Sequence, residues 1–354
     1  MTTRELFVEI MHYGEFDRMP VFHWTGWPET LRRWHGEGLP EGANEQEFFN
    51  ASPMNRGVPI DLGLYPLFEE EILEETEEYR IMRQNDGVIA QVWKNRSCIP
   101  HYIDFLLKDP SGWPEYKKRL QPDPGRIAEN IDEVLQDLEK SDVPIAISTM
   151  SMVGFLRNWM GVENMAVASM AYPDFFAETV DTISDLVCWA LDQVAGRVKI
   201  DLGWGWEDIC FKTGPLIHPD RFKELCVPGY RKIAEKLRSC GCDLYLVDCD
   251  GMIDHLIPHW LDAGVNVMFP VEIGTWQADP MALRRKYGKN LRIFGGIDKL
   301  TLEKGPAAID AEIERRRPLM AEGGFVPLPD HLITPGTPLK NVQYYLERIR
   351  DIRF

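Results

Sequence analysis

The sequence is poor in basic residues and has no long apolar run. Its 39 lysines and arginines face 56 aspartates and glutamates, and the formal net charge of -17 argues against a nucleic-acid or anionic-membrane surface. A membrane-spanning helix would need roughly 18 consecutive apolar residues, and no such stretch occurs. The N-terminus carries acids and lacks the apolar core of a signal peptide. We therefore expect a soluble protein of the cytoplasm.

Several metal and cofactor signatures are also missing. The seven cysteines include one C-x-C pair, Cys240 and Cys242, without a second pair at zinc-ribbon spacing. A reducing compartment without disulfides is the expectation. The sequence contains no P-loop, no H-E-x-x-H motif and no Ser-His-Asp order.

What the chain does have is a regular alternation of short apolar segments and amphipathic helical segments. Repeated strand–helix units predict a parallel sheet, and about eight of them predict a (β/α)8 TIM barrel, here one domain over 1–354. The rival is an open doubly wound sheet, but no glycine-rich phosphate fingerprint follows the first strand. The predicted strands lie near residues 20–24, 58–61, 144–152, 202–208, 244–248, 265–272, 291–298 and 325–331.

Two further elements accompany the barrel. Helical spacing at 3–13 predicts an N-terminal helical segment. Residues 79–95 contain two apolar stretches around Asp86-Gly87, a strong turn signal, and predict an inserted β-hairpin.

Polar and aromatic side chains follow the ends of most predicted strands. Because the active site of such a barrel lies at the carboxyl ends of its strands, we expect these residues to surround one mouth. Crowding acids there is unfavourable through like-charge repulsion and desolvation, which favours a functional reason. The set comprises His23, Trp24, Asp61, Ser148 to Met152, Glu207, Asp208, Asp248, Cys249, Asp250, Glu272, Asp298, Lys299, Asp330 and His331.

Each residue also has a structural interpretation. Asp250 precedes Gly251 and a helix, so its carboxylate could simply cap that helix. Asp298 and Lys299 could form an ion pair, and Lys212 could be a solvated loop charge. Tryptophans such as Trp24 and Trp206 are more often core or pocket wall than specific ligand contacts.

The rim leaves three chemistries open. Crowded acids can supply a carboxyl or imidazole group with a pKa near neutrality for general acid/base work. Asp248 or Asp250, with Glu272 and His331, could bind zinc or a harder cation. An aromatic pocket could instead stabilise a carbanion or a cation.

Five segments of the chain resemble the uroporphyrinogen decarboxylase superfamily, which includes cobalamin-dependent methyltransferases. The resemblance implies a (β/α)8 barrel with a deep pocket at the carboxyl-end rim, and dimers are frequent among its members. The segments are Trp27 to Pro40, Glu207 to Pro219, Asp248-Cys249-Asp250-Gly251, Gly295 to Lys299 and Gly323 to His331.

The chain departs from the family pattern at two places. The decarboxylases carry an arginine-rich loop after the first strand, where this chain has Phe22 to Trp27 without an arginine. The zinc methyltransferases carry His-x-Cys-Gly where this chain has Asp248 to Gly251, and a cysteine near Asp330-His331. Both thiolates are therefore missing from the matched positions.

The resemblance, with these departures, predicts a corrinoid-linked methyltransferase acting on a small substrate, with a corrinoid on a partner protein and zinc as candidate cofactors. Asp250, Glu272, His331 and Asp208 are the predicted catalytic residues, and the first three are also the predicted metal ligands. The predicted substrate-binding residues are His23, Trp24, Asp61, Met152, Trp206, Glu207, Lys212, Asp248, Asp298 and Asp330.

Two alternatives remain open. One is a decarboxylase, or related lyase, in which Lys212 or Lys299 holds the carboxylic acid. The other is a non-catalytic protein that binds a tetrapyrrole or corrinoid. The partner expected in each case is a small molecule, with a homodimer as the expected assembly.

Overall fold

The computed structural model describes residues 1–95 and 99–354. Its α-helices are α1 (Thr3–Met11), α2 (Pro28–Glu37), α3 (Glu45–Phe48), α4 (Trp113–Lys117), α5 (Ile131–Leu138), α6 (Gly154–Met160), α7 (Val162–Ala171), α8 (Pro173–Val194), α9 (Pro219–Leu225), α10 (Val227–Ser239), α11 (Ile257–Ala263), α12 (Ile273–Trp276), α13 (Pro280–Tyr287), α14 (Leu300–Lys304), α15 (Pro306–Glu322) and α16 (Leu339–Arg350). Its strands are β1 (Arg56–Gly57), β2 (Glu71–Glu75), β3 (Tyr79–Arg83), β4 (Ile89–Trp93), β5 (His101–Asp104), β6 (Ile145–Ser148), β7 (Leu202–Trp206), β8 (Cys210–Phe211), β9 (Gly214–Pro215), β10 (Tyr245–Asp248), β11 (Val267–Phe269), β12 (Arg292–Ile297) and β13 (Phe325–Pro329).

A curled parallel sheet forms the centre of the protein. Within the described residues it contains seven strands, paired in chain order as β1, β6, β7, β10, β11, β12 and β13. Single parallel bridges join Phe22 to Ser52, just before β1, and Gly26 to Ile333, just after β13. The segment 21–26 therefore takes the eighth position between the two edge strands, and the predicted (β/α)8 barrel is confirmed.

Aromatic side chains fill the interior of the barrel. Phe7 of α1 lies at one end, with its ring centroid 6.2 Å from that of Phe22. The ring of Phe22 lies 5.4 Å from that of Phe294, which lies 5.5 Å from that of Phe269. Trp204 packs on Phe269 at 5.3 Å. The interior is a packed core and not a pore, so ligands can reach this barrel only at its carboxyl end.

The predicted hairpin is confirmed and is part of a larger sheet. β3 and β4 pair antiparallel on either side of Asp86 and Gly87, and β2 and β5 extend them to four strands. β2 was not predicted because its sequence, Glu-Ile-Leu-Glu-Glu, is exposed at every position and has no alternating apolar face.

Two boundaries differ from the predictions. The sequence of residues 219–239 predicts one helix, but the structure has two, α9 and α10, that meet at Cys226. Pro228 explains the break, since it lacks an amide hydrogen and its ring would clash with the carbonyl of the preceding turn. The second barrel strand lies at 56–57 and not at 58–61, so Asp61 falls beyond the strand end.

The cysteines of the described residues form no disulfide. Six cysteines are free thiols, and Cys98 lies outside the described residues. Within the described part of the chain, no helix has the length and apolar character that crossing a membrane requires.

Candidate active site

Three carboxylates converge at the carboxyl end of the barrel. Asp248 ends β10, Asp250 follows two residues later, and Asp208 follows the neighbouring strand β7. Parallel pairing sets Asp248 opposite Trp206, so the two strand ends are level. One oxygen from each aspartate lies within 4.8 Å of the others. We call Asp208, Asp248 and Asp250 the three-aspartate cluster.

Two members of the cluster, Asp208 and Asp248, hold their protons more tightly than isolated carboxyl groups do. Burial raises the pKa of Asp248 well above its usual value, and the charges of Asp208 and Asp250 add to this. Burial also raises the pKa of Asp208, assisted by the charge of Asp250 and opposed by Arg157. Half-buried carboxylates this close cannot all ionise easily, so the cluster can act as a proton store or accept a cation.

His331 faces the cluster from the loop after β13. Its Nε2 lies 3.1 Å from Oδ2 of Asp250. Its ring stacks on Trp27, with centroids 5.4 Å apart, and also contacts Trp24 at 5.7 Å. Burial disfavours the imidazolium form, but the hydrogen bond to Asp250 and the charge of that carboxylate outweigh burial and raise the pKa of His331. The imidazole is therefore protonated over a wider pH range than that of an isolated histidine.

We expect His331 to titrate above the ordinary histidine value of about 6.5. The proton resonances of its ring, followed by NMR against pH in the presence of EDTA, will measure this. In Asp250→Asn the burial remains but the favourable charge is gone, so the pKa of His331 should fall below its wild-type value.

The same pair makes stability depend on pH. Because folding raises the pKa of His331, its contribution to stability is complete below about pH 6.5 and is lost as the pH rises through the folded-state value. Equal titration of His331 in the wild type and in Asp250→Asn would contradict the pairing.

Glu272, Lys299 and Asp330 form a second group beside the cluster. Oε2 of Glu272 accepts the amide of Gly251 at 2.8 Å, and Lys299 Nζ lies 3.6 Å from Oε1 of Glu272. Asp330 is fully buried and accepts the amides of Ile273 at 2.6 Å and of Lys299 at 3.0 Å. Lys299 Nζ also lies 3.4 Å from Asp330. The group ties the loops after β10, β11, β12 and β13 together.

Glu207 is buried behind the cluster. Its carboxylate accepts the backbone amides of Met152 at 2.7 Å and of Val153 and Gly154 at 2.9 Å. It also accepts the hydroxyl groups of Ser151 and Tyr230. This carboxylate therefore joins the end of β7 to the start of α6, on the far side of the strand from the mouth.

Other predicted substrate-binding residues lie away from the cluster. His23 is buried outside the barrel wall, bonded to Glu45 at 2.8 Å. Asp61 is exposed and accepts the amide of Gly63. Met152 is buried, with its sulfur packed against Gly229 of α10.

Three more predicted residues lie on the rim itself. Asp298 accepts the amide of Leu300 at 2.9 Å, as a cap on α14. Lys212 is exposed in the turn between β8 and β9. Trp206 is half-buried beside the cluster, with its ring 5.2 Å from that of Phe155. Trp24 and Trp206 are therefore the predicted aromatic residues that line the mouth.

Comparison with known protein families identifies the family to which this chain belongs. The family model described as "Uroporphyrinogen decarboxylase (URO-D)" matches residues 114–352, more than half of the chain. The chain belongs to the uroporphyrinogen decarboxylase family. This confirms the resemblance inferred from the sequence.

The relatives of this family member are distant. A uroporphyrinogen decarboxylase from Maricaulis maris is 25% identical over 243 residues, which cover 64% of this chain and 65% of that protein. One from Phenylobacterium zucineum is 22% identical over 234 residues, 63% of this chain and 64% of that protein. The match thus spans just under two thirds of the length of these relatives.

The solved structures show the same fold. A methyltransferase from Methanosarcina mazei aligns with a TM-score of 0.64 at 19% identity, over 99% of this chain and 98% of that one. At this identity the likeness shows that the two chains share an architecture.

In this family member the loop after the first strand carries indoles in place of cationic side chains. Trp24 and Trp27 both pack on His331. The loop after the first strand, which lacks an arginine, therefore covers the imidazole of His331 with aromatic rings at this side of the mouth.

The residues that could bind a metal ion would suit a hard cation better than a zinc ion held by thiolates. Within the described residues, the three-aspartate cluster is the group of three whose ligand atoms approach one another; Glu272 is instead bonded to Gly251 and Lys299. Oδ1 of Asp250 is buried and has no hydrogen-bond partner. Carboxylate oxygens of this kind suit Mg²⁺, Mn²⁺ or Ca²⁺.

Cys249 does not complete a thiolate site. It is buried between two of the aspartates, and burial, together with a hydrogen bond between its thiol and Cys210, raises the pKa of the thiol well above the usual value. A neutral buried thiol is a packing group.

The sequence did not point to Arg157. This residue lies one turn into α6, beyond the predicted strand end, and its guanidinium donates to the carbonyl of Asp208. One feature of the sequence could have identified it. Arg157 is an arginine soon after the end of β6, in a chain that lacks the arginine-rich loop after the first strand.

Proposed function

We propose that the protein is a methyltransferase that removes a methyl group from a small substrate in a corrinoid-linked reaction in the cytoplasm. The observation that carries the proposal is the hydrogen-bonded His331–Asp250 pair, a candidate proton donor beneath two indoles at the carboxyl end of the barrel. The shared architecture with a methyltransferase supports the choice of reaction.

The residues of this chain would supply the proton. A heteroatom that loses a methyl group gains negative charge, and the imidazolium of His331 donates a proton to it. The hydrogen bond and the charge of Asp250 favour the protonated imidazole before that step, and a proton from solvent restores it afterwards.

The proposed methyl transfer would also use two bound groups, a corrinoid and a divalent cation. A corrinoid on a partner protein would supply the nucleophile that accepts the methyl group. A divalent cation held by Asp208, Asp248 and Asp250 would polarise the same heteroatom as a Lewis acid.

Mixing the purified protein with cob(I)alamin and a panel of O-, N- and S-methyl donors should convert the cobalamin spectrum to that of methylcobalamin with at least one donor. Asp254→Asn, at an exposed carboxylate paired with Lys286, is a matched control that should behave as the wild type does. An unchanged spectrum with every donor, and no corrinoid protein that binds the chain, would contradict the proposal.

A second candidate is decarboxylation of a small carboxylic acid. Asp208 and Asp248 favour it, because their raised pKa values suit proton delivery to the carbon left after loss of carbon dioxide. The relatives in Maricaulis and Phenylobacterium bear the name uroporphyrinogen decarboxylase. Carbon dioxide released from an acid, with no methyl transfer from any donor, would select this function.

A further inference from the structure

The cations around the mouth differ in how far they are already neutralised. Lys299 lies between two carboxylates, Glu272 and Asp330. His331 is bonded to Asp250, and Lys212 is exposed on a turn. None of these three combines a fixed position with a free charge.

Arg157 has a fixed position, and its charge is offset only in part, by the nearby carboxyl group of Asp208. Its guanidinium donates to the carbonyl of Asp208 and to Oδ1 of Asn158, both neutral acceptors, and within the described residues it forms no ion pair. These bonds use two of the five N–H groups of an arginine. The side chain is half-buried, and α6 and the end of β7 fix its position.

Arginines buried for structural reasons in this protein look different. Arg126 donates to four backbone carbonyls, those of Asp61, Gly63, Arg119 and Gln121. The half-buried guanidinium of Arg157 instead keeps spare donors beside the end of β7 at the mouth, and its planar fork matches a carboxylate.

An aromatic wall adjoins Arg157. The guanidinium lies 5.9 Å from the ring of Trp206, and Phe155 packs edge-on against that ring at 5.2 Å. A planar, apolar group could lie against Trp206 while its acid group meets Arg157.

We propose that Arg157 binds the carboxylate of the substrate, and that the substrate is a small aromatic carboxylic acid. The inference rests on the proposed function in taking this mouth as the active site. The three aspartates repel a carboxylate placed among them, so the acid group lies on the Arg157 side. The opposite end of the molecule then faces Asp250 and His331, where the methyl group is lost.

The test compares benzoate with benzamide, its neutral isostere, by calorimetric titration in EDTA. The wild type should bind benzoate at least about tenfold more tightly, because a charge-assisted bidentate contact is lost with the amide. Arg157→Gln should remove the preference while leaving the far-ultraviolet circular dichroism unchanged, and Arg157→Lys should keep part of it. Arg231→Gln, at an exposed arginine of α10 paired with Asp262, is the matched control and should keep all of it.

Three results would overturn the assignment: equal binding of benzoate and benzamide by the wild type, a preference that survives in Arg157→Gln, or a preference lost in Arg231→Gln. Failure of the proposed function looks different. Benzoate binding through Arg157 without methyl transfer from any donor would reject methyl transfer alone, whereas efficient methyl transfer by Arg157→Gln would reject the role of Arg157 alone.

Discussion

Glu207→Ala is expected to destabilise the protein by at least about 3 kcal/mol, because the loss of one buried carboxylate leaves several hydrogen-bond donors without an acceptor. Three of these donors are the backbone amides of Met152 to Gly154, and two are the hydroxyls of Ser151 and Tyr230. Water cannot easily replace the carboxylate in a site this buried. Chemical denaturation followed by circular dichroism measures the change.

Two further variants serve as comparisons for the stability of Glu207→Ala. Glu207→Gln keeps the shape but turns an amide group toward backbone donors, so its stability should lie between those of the wild type and Glu207→Ala. Glu75→Ala, on the exposed strand β2, removes a surface carboxylate and should unfold as the wild type does. A Glu207→Ala protein as stable as Glu75→Ala would show that this carboxylate does not join β7 to α6.

Asp250→Asn is expected to have the largest effect on activity, a decrease in kcat of about 10²–10⁴-fold. The substitution removes the charge that keeps His331 protonated and nearly preserves the side-chain shape. Methyl transfer to cob(I)alamin at several pH values measures it, and the remaining activity should shift toward lower pH, where the imidazole regains its proton.

The comparison with His331→Ala sharpens this prediction. If the two residues act as one unit, the double variant should be no slower than the slower single variant. Multiplicative losses in the double variant would mean that Asp250 and His331 act independently.

The fold could be predicted because most strands of the barrel are buried on both faces and read as short apolar runs. Leu244, Leu246 and Val247 are examples, all almost fully buried. The sequence could not predict the residues at which individual strands and helices begin and end. Strand β1 is two residues long, and its pairing depends on the neighbouring β6, which no local pattern encodes.

The site could be predicted to the level of which strand ends carry chemistry. Asp208, Asp248, Asp250 and His331 do meet, because parallel strands bring distant segments to one rim. Side-chain direction could not be predicted. Asp208 faces the mouth while its neighbour Glu207 turns away to α6, and only the backbone geometry, with φ of 46° at Asp208, distinguishes them.

Within the described residues, the phenyl rings packed inside the barrel leave the candidate active site accessible from the carboxyl end. Under the proposed function, a small substrate and a corrinoid protein would have to approach by this one route. The proposal therefore implies an ordered reaction, in which the substrate binds before the corrinoid protein and the demethylated product leaves after it.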